Sequence, residues 1–182
     1  MYRRHRRDAV TSRLRLRGYD YDSPSNSFVT ICTQNRACLF GDIQNGMLTM
    51  STAGLVMESW WLAIPRAFPE VELDAVVVVP IHVHGILLVG TIADTPGETS
   101  LPSLSRVIQR FKGQSTNDYM VGVRTDGWRR FEGRLWQKGY YEYIFRSDRE
   151  IHRIRDYVDG IPLHWPDDEY NPERMRRGTS ER

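Results

Sequence analysis

The segment Val76-Val77-Val78-Val79-Pro80-Ile81-His82-Val83-His84-Gly85-Ile86-Leu87-Leu88-Val89 constrains this chain most. Its β-branched and aliphatic runs predict buried strand, and it carries two of the five histidines. Side chains two positions apart on a strand share a face. His82 and His84 therefore project side by side, with Val83 on the opposite face. Two imidazoles on a rigid strand suit half of a divalent metal site. The pair also fits two core histidines satisfied by backbone groups. His-x-His occurs in hydrolytic zinc sites, in histidine-dependent phosphoesterases and in nucleases, so the other ligands and the nucleophile must decide.

At 182 residues the chain is long enough to bury a core as one domain. No apolar run is long enough to span a membrane, and the arginine-rich start lacks a secretory apolar core. Cys32 and Cys38, with no CxxC spacing, read as small buried hydrophobes in a reducing, cytoplasmic protein. The net charge is only +2, but its distribution is uneven. Arg3, Arg4, Arg6, Arg7, Arg13, Arg15 and Arg17 face Asp8 alone in the first stretch. Arg129, Arg130 and Arg134 form a second group, and Arg174, Arg176, Arg177 and Arg182 a third. The planar Arg fork suits phosphate, so basic ends on a near-neutral body suggest arms for a polyanion. Tyr2, Tyr19 and Tyr21, interleaved with the first group, suit stacking on bases. A solvated tail is the plain alternative for the last group.

The organisation follows as a basic arm over 1–24, a domain over 25–165 and a basic, flexible tail over 166–182. Phe28 to Thr33 reads as strand, Gly41 to Gly46 as turn, and Met47 to Met50 as a short strand. Ser51 or Thr52 caps a helix over 52–68 with Leu55, Val56, Ser59, Trp60 and Ala63 on one face. Strands 71–79 and 82–89 follow, joined by a tight turn at Pro80-Ile81. A Gly/Pro/Thr/Ser loop spans 90–102, and Leu104, Val107, Ile108 and Phe111 mark a helix over 103–119. Leu135 to Arg146 reads as an aromatic strand. Ser147-Asp148-Arg149-Glu150 is a capping box opening a last helix, which stops near Gly160 and Pro162. This order predicts an α+β fold, with helices packed on a central antiparallel sheet.

The last helix carries Tyr157. A tyrosine hydroxyl can attack phosphorus and form a covalent intermediate if a bound metal polarises the phosphoryl oxygen. Cleavage of this kind keeps the bond energy in a phosphotyrosine, so rejoining needs no ATP. Tyr140, Tyr141 and Tyr143 compete for the nucleophile role, although packing explains them as well. Arg110 and Lys112, with Gln109 and Gln114, line a helix beside the Arg-rich loop and suit either phosphate contacts or a solvated face. Trp60 and Trp61 read as core, and His152 and His164 as surface.

Phe28-Val29-Thr30-Ile31-Cys32-Thr33, Leu73 to Gly85 with its His-x-His, Phe111-Lys112, Leu135 to Arg146, and Ile154-Arg155-Asp156-Tyr157-Val158-Asp159-Gly160-Ile161-Pro162 occur in the order that resembles REP-associated tyrosine transposases. These are domesticated relatives of the single-tyrosine HUH transposases of bacterial insertion sequences. The resemblance spans about residues 13 to 165. It implies a ferredoxin-like HUH endonuclease fold and a Mg²⁺- or Mn²⁺-dependent nuclease and strand transferase. The partner implied is single-stranded DNA with hairpins from repetitive extragenic palindromes, met in the cytoplasm at the nucleoid. By the same resemblance His82 and His84 are metal ligands, and Tyr157 forms a 5′-phosphotyrosine and releases a 3′-hydroxyl. DNA would be held by Arg3, Arg4, Arg6, Arg7, Arg13, Arg15, Arg17, Arg110, Lys112, Arg129 and Arg130.

Three positions depart from the family pattern. Ile161 stands where the family often has an Asn, four residues after the nucleophile, as a candidate third metal ligand. Ile cannot ligate, which leaves Asp159, Glu142 or Asp156 as carboxylate substitutes for a hard cation. Ile81 replaces a polar residue, and Tyr143 replaces a common His. A DNA-hairpin binding protein with weak or no cleavage is the alternative reading, and a small-molecule hydrolase with a His-x-His centre is a third. Relatives include dimers that exchange tyrosine helices, so a homodimer and a tyrosine acting in cis or in trans all remain open.

Overall fold

Strand alternation and serine caps set the elements. The computed structural model describes residues 25–90, 101–168 and 171. In chain order they form β1 (Ser25–Cys32), β2 (Gly41–Gln44), β3 (Met47–Met50), α1 (Thr52–Leu62), α2 (Ile64–Ala67), β4 (Val71–Val79), β5 (His82–Val89), α3 (Leu104–Thr125), β6 (Tyr141–Phe145) and α4 (Asp148–His164). The first basic arm, residues 91–100 of the polar loop, and Arg174, Arg176, Arg177 and Arg182 lie outside the described residues.

The main sheet runs β4-β5-β1-β6, and each neighbouring pair is antiparallel. Without the β2–β3 hairpin, α2 and the final α4, the sequence is β-α-β-β-α-β with split crossovers. That is the ferredoxin-like α+β topology. One face buries Val29, Ile31, Val78, Val83 and Leu87 against Met57 and Trp61 of α1 and Val107, Ile108 and Phe111 of α3. The other face is covered by α4. Phe28, Ile86 and Phe145 pack on Ile154 and Val158, and Val79 and Ile81 on Ile161 and Trp165.

The serine caps form at Ser51, Ser103 and Ser147, whose hydroxyls accept from Gly54, Arg106 and Glu150 backbone N–H groups. Pro65 breaks the expected single helix over 52–68 into α1 and α2, because its ring excludes a helical hydrogen bond. The buried face of α1 is Ala53, Gly54, Met57 and Trp61 rather than the expected stripe, and Leu55 is half exposed. Gly85 explains this choice. A Cβ there would lie 2.1 Å from Cζ2 of Trp61, so only glycine lets the indole seat on the sheet. Gly41 begins β2 rather than a turn, which tightens instead at Asn45 and Gly46 with positive φ.

The expected strand over 135–146 shortens to β6. Trp136 makes only an isolated bridge to Thr33. The neighbouring carbonyls of Gln137 and Gly139 accept from Lys112 Nζ at 2.9 and 2.8 Å instead of from a strand. α4 continues through Gly160 and Pro162 to His164, because Ile161 and Trp165 still have a core to fill beyond them. Cys32 is buried as expected, but Cys38 is exposed. Beyond residue 165, the expected domain end, Asn171 is buried and donates from Nδ2 to the Trp165 carbonyl at 2.9 Å. Among the described residues no helix is long and apolar enough to cross a membrane.

Candidate functional site

Strand parity brings His82 and His84 to the face covered by α4. His82 pairs with Cys32 and Val79, and His84 with Thr30 and Val77. Both are almost fully buried, and their ring centroids are 4.2 Å apart. Thr30 Oγ1 lies 2.8 Å from Nδ1 of His84, and Phe28 stacks on the same imidazole at 5.3 Å. Trp165 closes the His82 end at 6.0 Å. Burial holds the His84 pKa down to about 3. Burial also pushes His82 well below the ordinary range, and neighbouring His84 and Arg36 push it the same way. Both rings are thus neutral at physiological pH, the form in which imidazole binds metal.

Tyr157 reaches this pair from the same chain. Its ring stands edge-on to His84 at 5.8 Å and to Phe28 at 6.0 Å. It lies at the border of the buried stripe of α4 formed by Ile154, Val158 and Ile161, and is 47% exposed. Tyr143, a competitor from sequence, donates its hydroxyl to Glu150 Oε1 at 2.6 Å. Tyr140 packs beside Lys112 and Ser105. Tyr141 lies across from Thr30 on β6.

The carboxylates do not join the histidines. Glu142 pairs with Val29, which faces the opposite side of the sheet from Thr30 and His84, and it accepts from Ser27 Oγ at 3.2 Å. Burial raises its pKa despite that hydrogen bond. Asp159 is exposed, and about 200° of helix rotation separates it from Tyr157. Asp156 is exposed too. Among the described residues no group of three His, Cys, Asp or Glu could hold a metal. The position one turn after Tyr157 is Ile161, buried with Val79, Ile81 and Trp165. The site therefore offers two nitrogen ligands. Two imidazoles with no carboxylate beside them are part of a divalent-metal site, and a weak one for a hard cation, which prefers oxygen ligands.

Two of the expected DNA contacts have other surroundings. Lys112 is spent on the backbone of the 137–139 segment, and burial lowers its pKa to about 8. Arg110 is exposed on α3, lining a groove of about 230 Å³ with Trp60, Phe68 and Arg66. That groove lies on the α1–α3 side of the sheet, away from the histidines. Arg129 and Arg130 are exposed in the loop before β6. Arg129 offers its carbonyl to the Tyr119 hydroxyl at 2.7 Å. Arg3, Arg4, Arg6, Arg7, Arg13, Arg15 and Arg17 lie outside the described residues. Thr30 and Phe28, which set the orientation of His84, carried no signal of that role in the sequence.

A ferredoxin-like sheet with a His-x-His strand facing a helical tyrosine defines the class. The same fold occurs in the structure of a REP-associated tyrosine transposase bound to a REP hairpin, with TM-score 0.52 and 18% identity, over 76% of this chain and 67% of that one. The chain belongs to the same family as an uncharacterized protein of Haemophilus influenzae (strain ATCC 51907 / DSM 11121 / KW20 / Rd). The two are 32% identical over 166 residues, covering 86% of this chain and 90% of that protein. No family model matches the chain.

Proposed function

We propose that the protein is a metal-dependent, single-stranded DNA endonuclease and strand transferase acting beside hairpins formed by palindromic repeats. The observation that carries this reading is the 5.8 Å approach of the Tyr157 ring to His84 within one chain. His82 and His84 would hold Mg²⁺ or Mn²⁺, which supplies polarisation of a phosphoryl oxygen. Tyr157 Oη attacks phosphorus. The Oη–P bond forms, the P–O3′ bond breaks, the phenolic proton passes to solvent and O3′ is protonated. The products are a 5′-phosphotyrosine and a free 3′-hydroxyl. Because Tyr157 and both histidines come from one chain, this reading needs no exchange of helices between protomers. The hairpin in the fold neighbour supports a hairpin-bearing substrate. The basic arms would bind its phosphates in the cytoplasm, at the nucleoid.

The test is covalent capture. Hairpin-bearing single-stranded DNA with Mn²⁺ should give a protein–DNA adduct that Tyr157→Phe abolishes. An equal adduct from Tyr157→Phe would refute the nucleophile assignment. One observation favours a second reading, a hairpin-binding protein with weak or no cleavage: Ile161 is sealed in an apolar cluster where a third ligand is expected. That reading predicts no adduct with any metal, and salt-sensitive DNA binding that survives His82→Ala.

A further inference from the structure

A polar contact outside the histidine pair bears on Tyr157. Asp74 lies on β4 where its register with β5 shifts between Leu73 and Val76. The irregularity interrupts strand alternation. Val71 and Leu73 pack on the α1–α3 side, whereas Ala75 and Val77 pack under α4. Asp74 thereby meets α4. Arg155 donates from Nε to Oδ1 at 2.8 Å and from Nη2 to Oδ2, across 81 residues of chain. This is a two-pronged fork, the most directional arrangement available to an ion pair. The guanidinium holds the Asp74 carboxyl below its ordinary range, against the opposing effect of burial.

Arg155 and Tyr157 flank the buried stripe of α4 on opposite sides, with about 200° of helix rotation between them. The stripe itself is Ile154, Val158 and Ile161, aliphatic side chains whose packing is not directional. Glu150 fixes the first turn of α4 to Tyr143 on β6, at one edge of the sheet. Asp74 fixes the other flank to β4, at the opposite edge. A roll of about 20° would sweep a ring roughly 6 Å from the helix axis through about 2 Å. Misplacement by about 1 Å can cost a hundredfold in rate.

We propose that Asp74 and Arg155 are a positioning pair. They set the roll of α4 and so hold Tyr157 over His84, without themselves touching the reacting atoms. This inference rests on Tyr157 being the nucleophile.

The test uses the full chain, hairpin-bearing single-stranded DNA and Mn²⁺. Asp74→Asn and Arg155→Met should each slow single-turnover adduct formation at saturating DNA by tenfold or more, with the DNA Kd within twofold of wild type. Arg155→Lys should recover only part of the rate, because an ammonium cannot form the fork. The exchanged pair, Asp74→Arg with Arg155→Asp, should recover more than either single change. Unchanged rates in the single variants would overturn the inference. So would losses of binding and thermal stability that match the loss of rate. A second readout is independent of activity. With 3-fluorotyrosine at position 157, the ¹⁹F resonance senses the Phe28 and His84 rings and should move in Asp74→Asn. An unmoved resonance overturns the roll-setting role. A wild-type protein that forms no adduct overturns the nucleophile reading instead.

Discussion

Thr30 and His84 are cross-strand neighbours whose side chains meet at 2.8 Å, Oγ1 to Nδ1. If Nδ1 carries the proton and Thr30 accepts it, Nε2 presents its lone pair to a metal. Partners of this kind typically govern 10- to 100-fold in metal affinity. Thr30→Val keeps the shape and removes the acceptor. We expect Mn²⁺ affinity, measured by titration calorimetry, to fall by about that factor while the far-ultraviolet circular dichroism stays unchanged. Undiminished affinity would show that the hydroxyl does not tune the ligand.

Gly85 is the seat of Trp61, and a methyl group there would lie 2.1 Å from the indole. Gly85→Ala should cost about 1–3 kcal/mol of stability, the usual range for overpacking a core. Urea denaturation measures it. A variant as stable as wild type would mean that the indole has room to shift.

Lys112 looks like a phosphate ligand in the sequence but binds two backbone carbonyls in the fold. Lys112→Met should therefore destabilise by about 1–3 kcal/mol, the cost of leaving buried polar groups unsatisfied. The salt dependence of DNA binding should not change. A salt slope reduced by about one would instead mark Lys112 as a phosphate contact.

Glu150 joins β6 to α4. The Tyr143 hydroxyl, the Arg146 backbone N–H and the Ser147 hydroxyl all donate to it and lower its pKa to about 2, from an ordinary 4.5. A carboxyl depressed by folding stabilises above its unfolded pKa, and the contribution is lost as pH falls toward its folded one. Acid titration of wild type should show this loss between about pH 4.5 and 2. Glu150→Gln should flatten that part of the curve. Identical acid profiles for the two proteins would remove Glu150 from the account.

The histidine pair was legible because strand parity is local: two positions apart on a strand with no bulge between them share a face. The Ser147–Glu150 cap was legible for the same reason. The inner face of α1 was not, because Trp60 and Trp61 stand side by side and make two faces apolar. The hole at Gly85, on another element, selects Trp61. Glu142 could not be placed from sequence because its side of the sheet depends on the β1–β6 register. The position of Asp159 off the Tyr157 side of α4 is legible, since its angle follows from helical periodicity alone. The long aromatic strand failed because Lys112, 25 residues before Gln137, takes that residue's carbonyl. Tyr157 reaching His84 within the chain depends on α4 crossing the sheet, which no local pattern encodes.

The strand carrying the histidines is also the wall on which the main core rests. His82 and His84 look one way, while Val83 and the bare Cα of Gly85 look the other. Substitutions stepped from His82 to Gly85 should thus produce two interleaved phenotypes, with ligand binding lost at one position and folding at the next, before Ile86 returns the histidine face to core packing. A residue-by-residue scan of these four positions becomes a ruler of period two, in which chemistry and architecture are read from alternate marks.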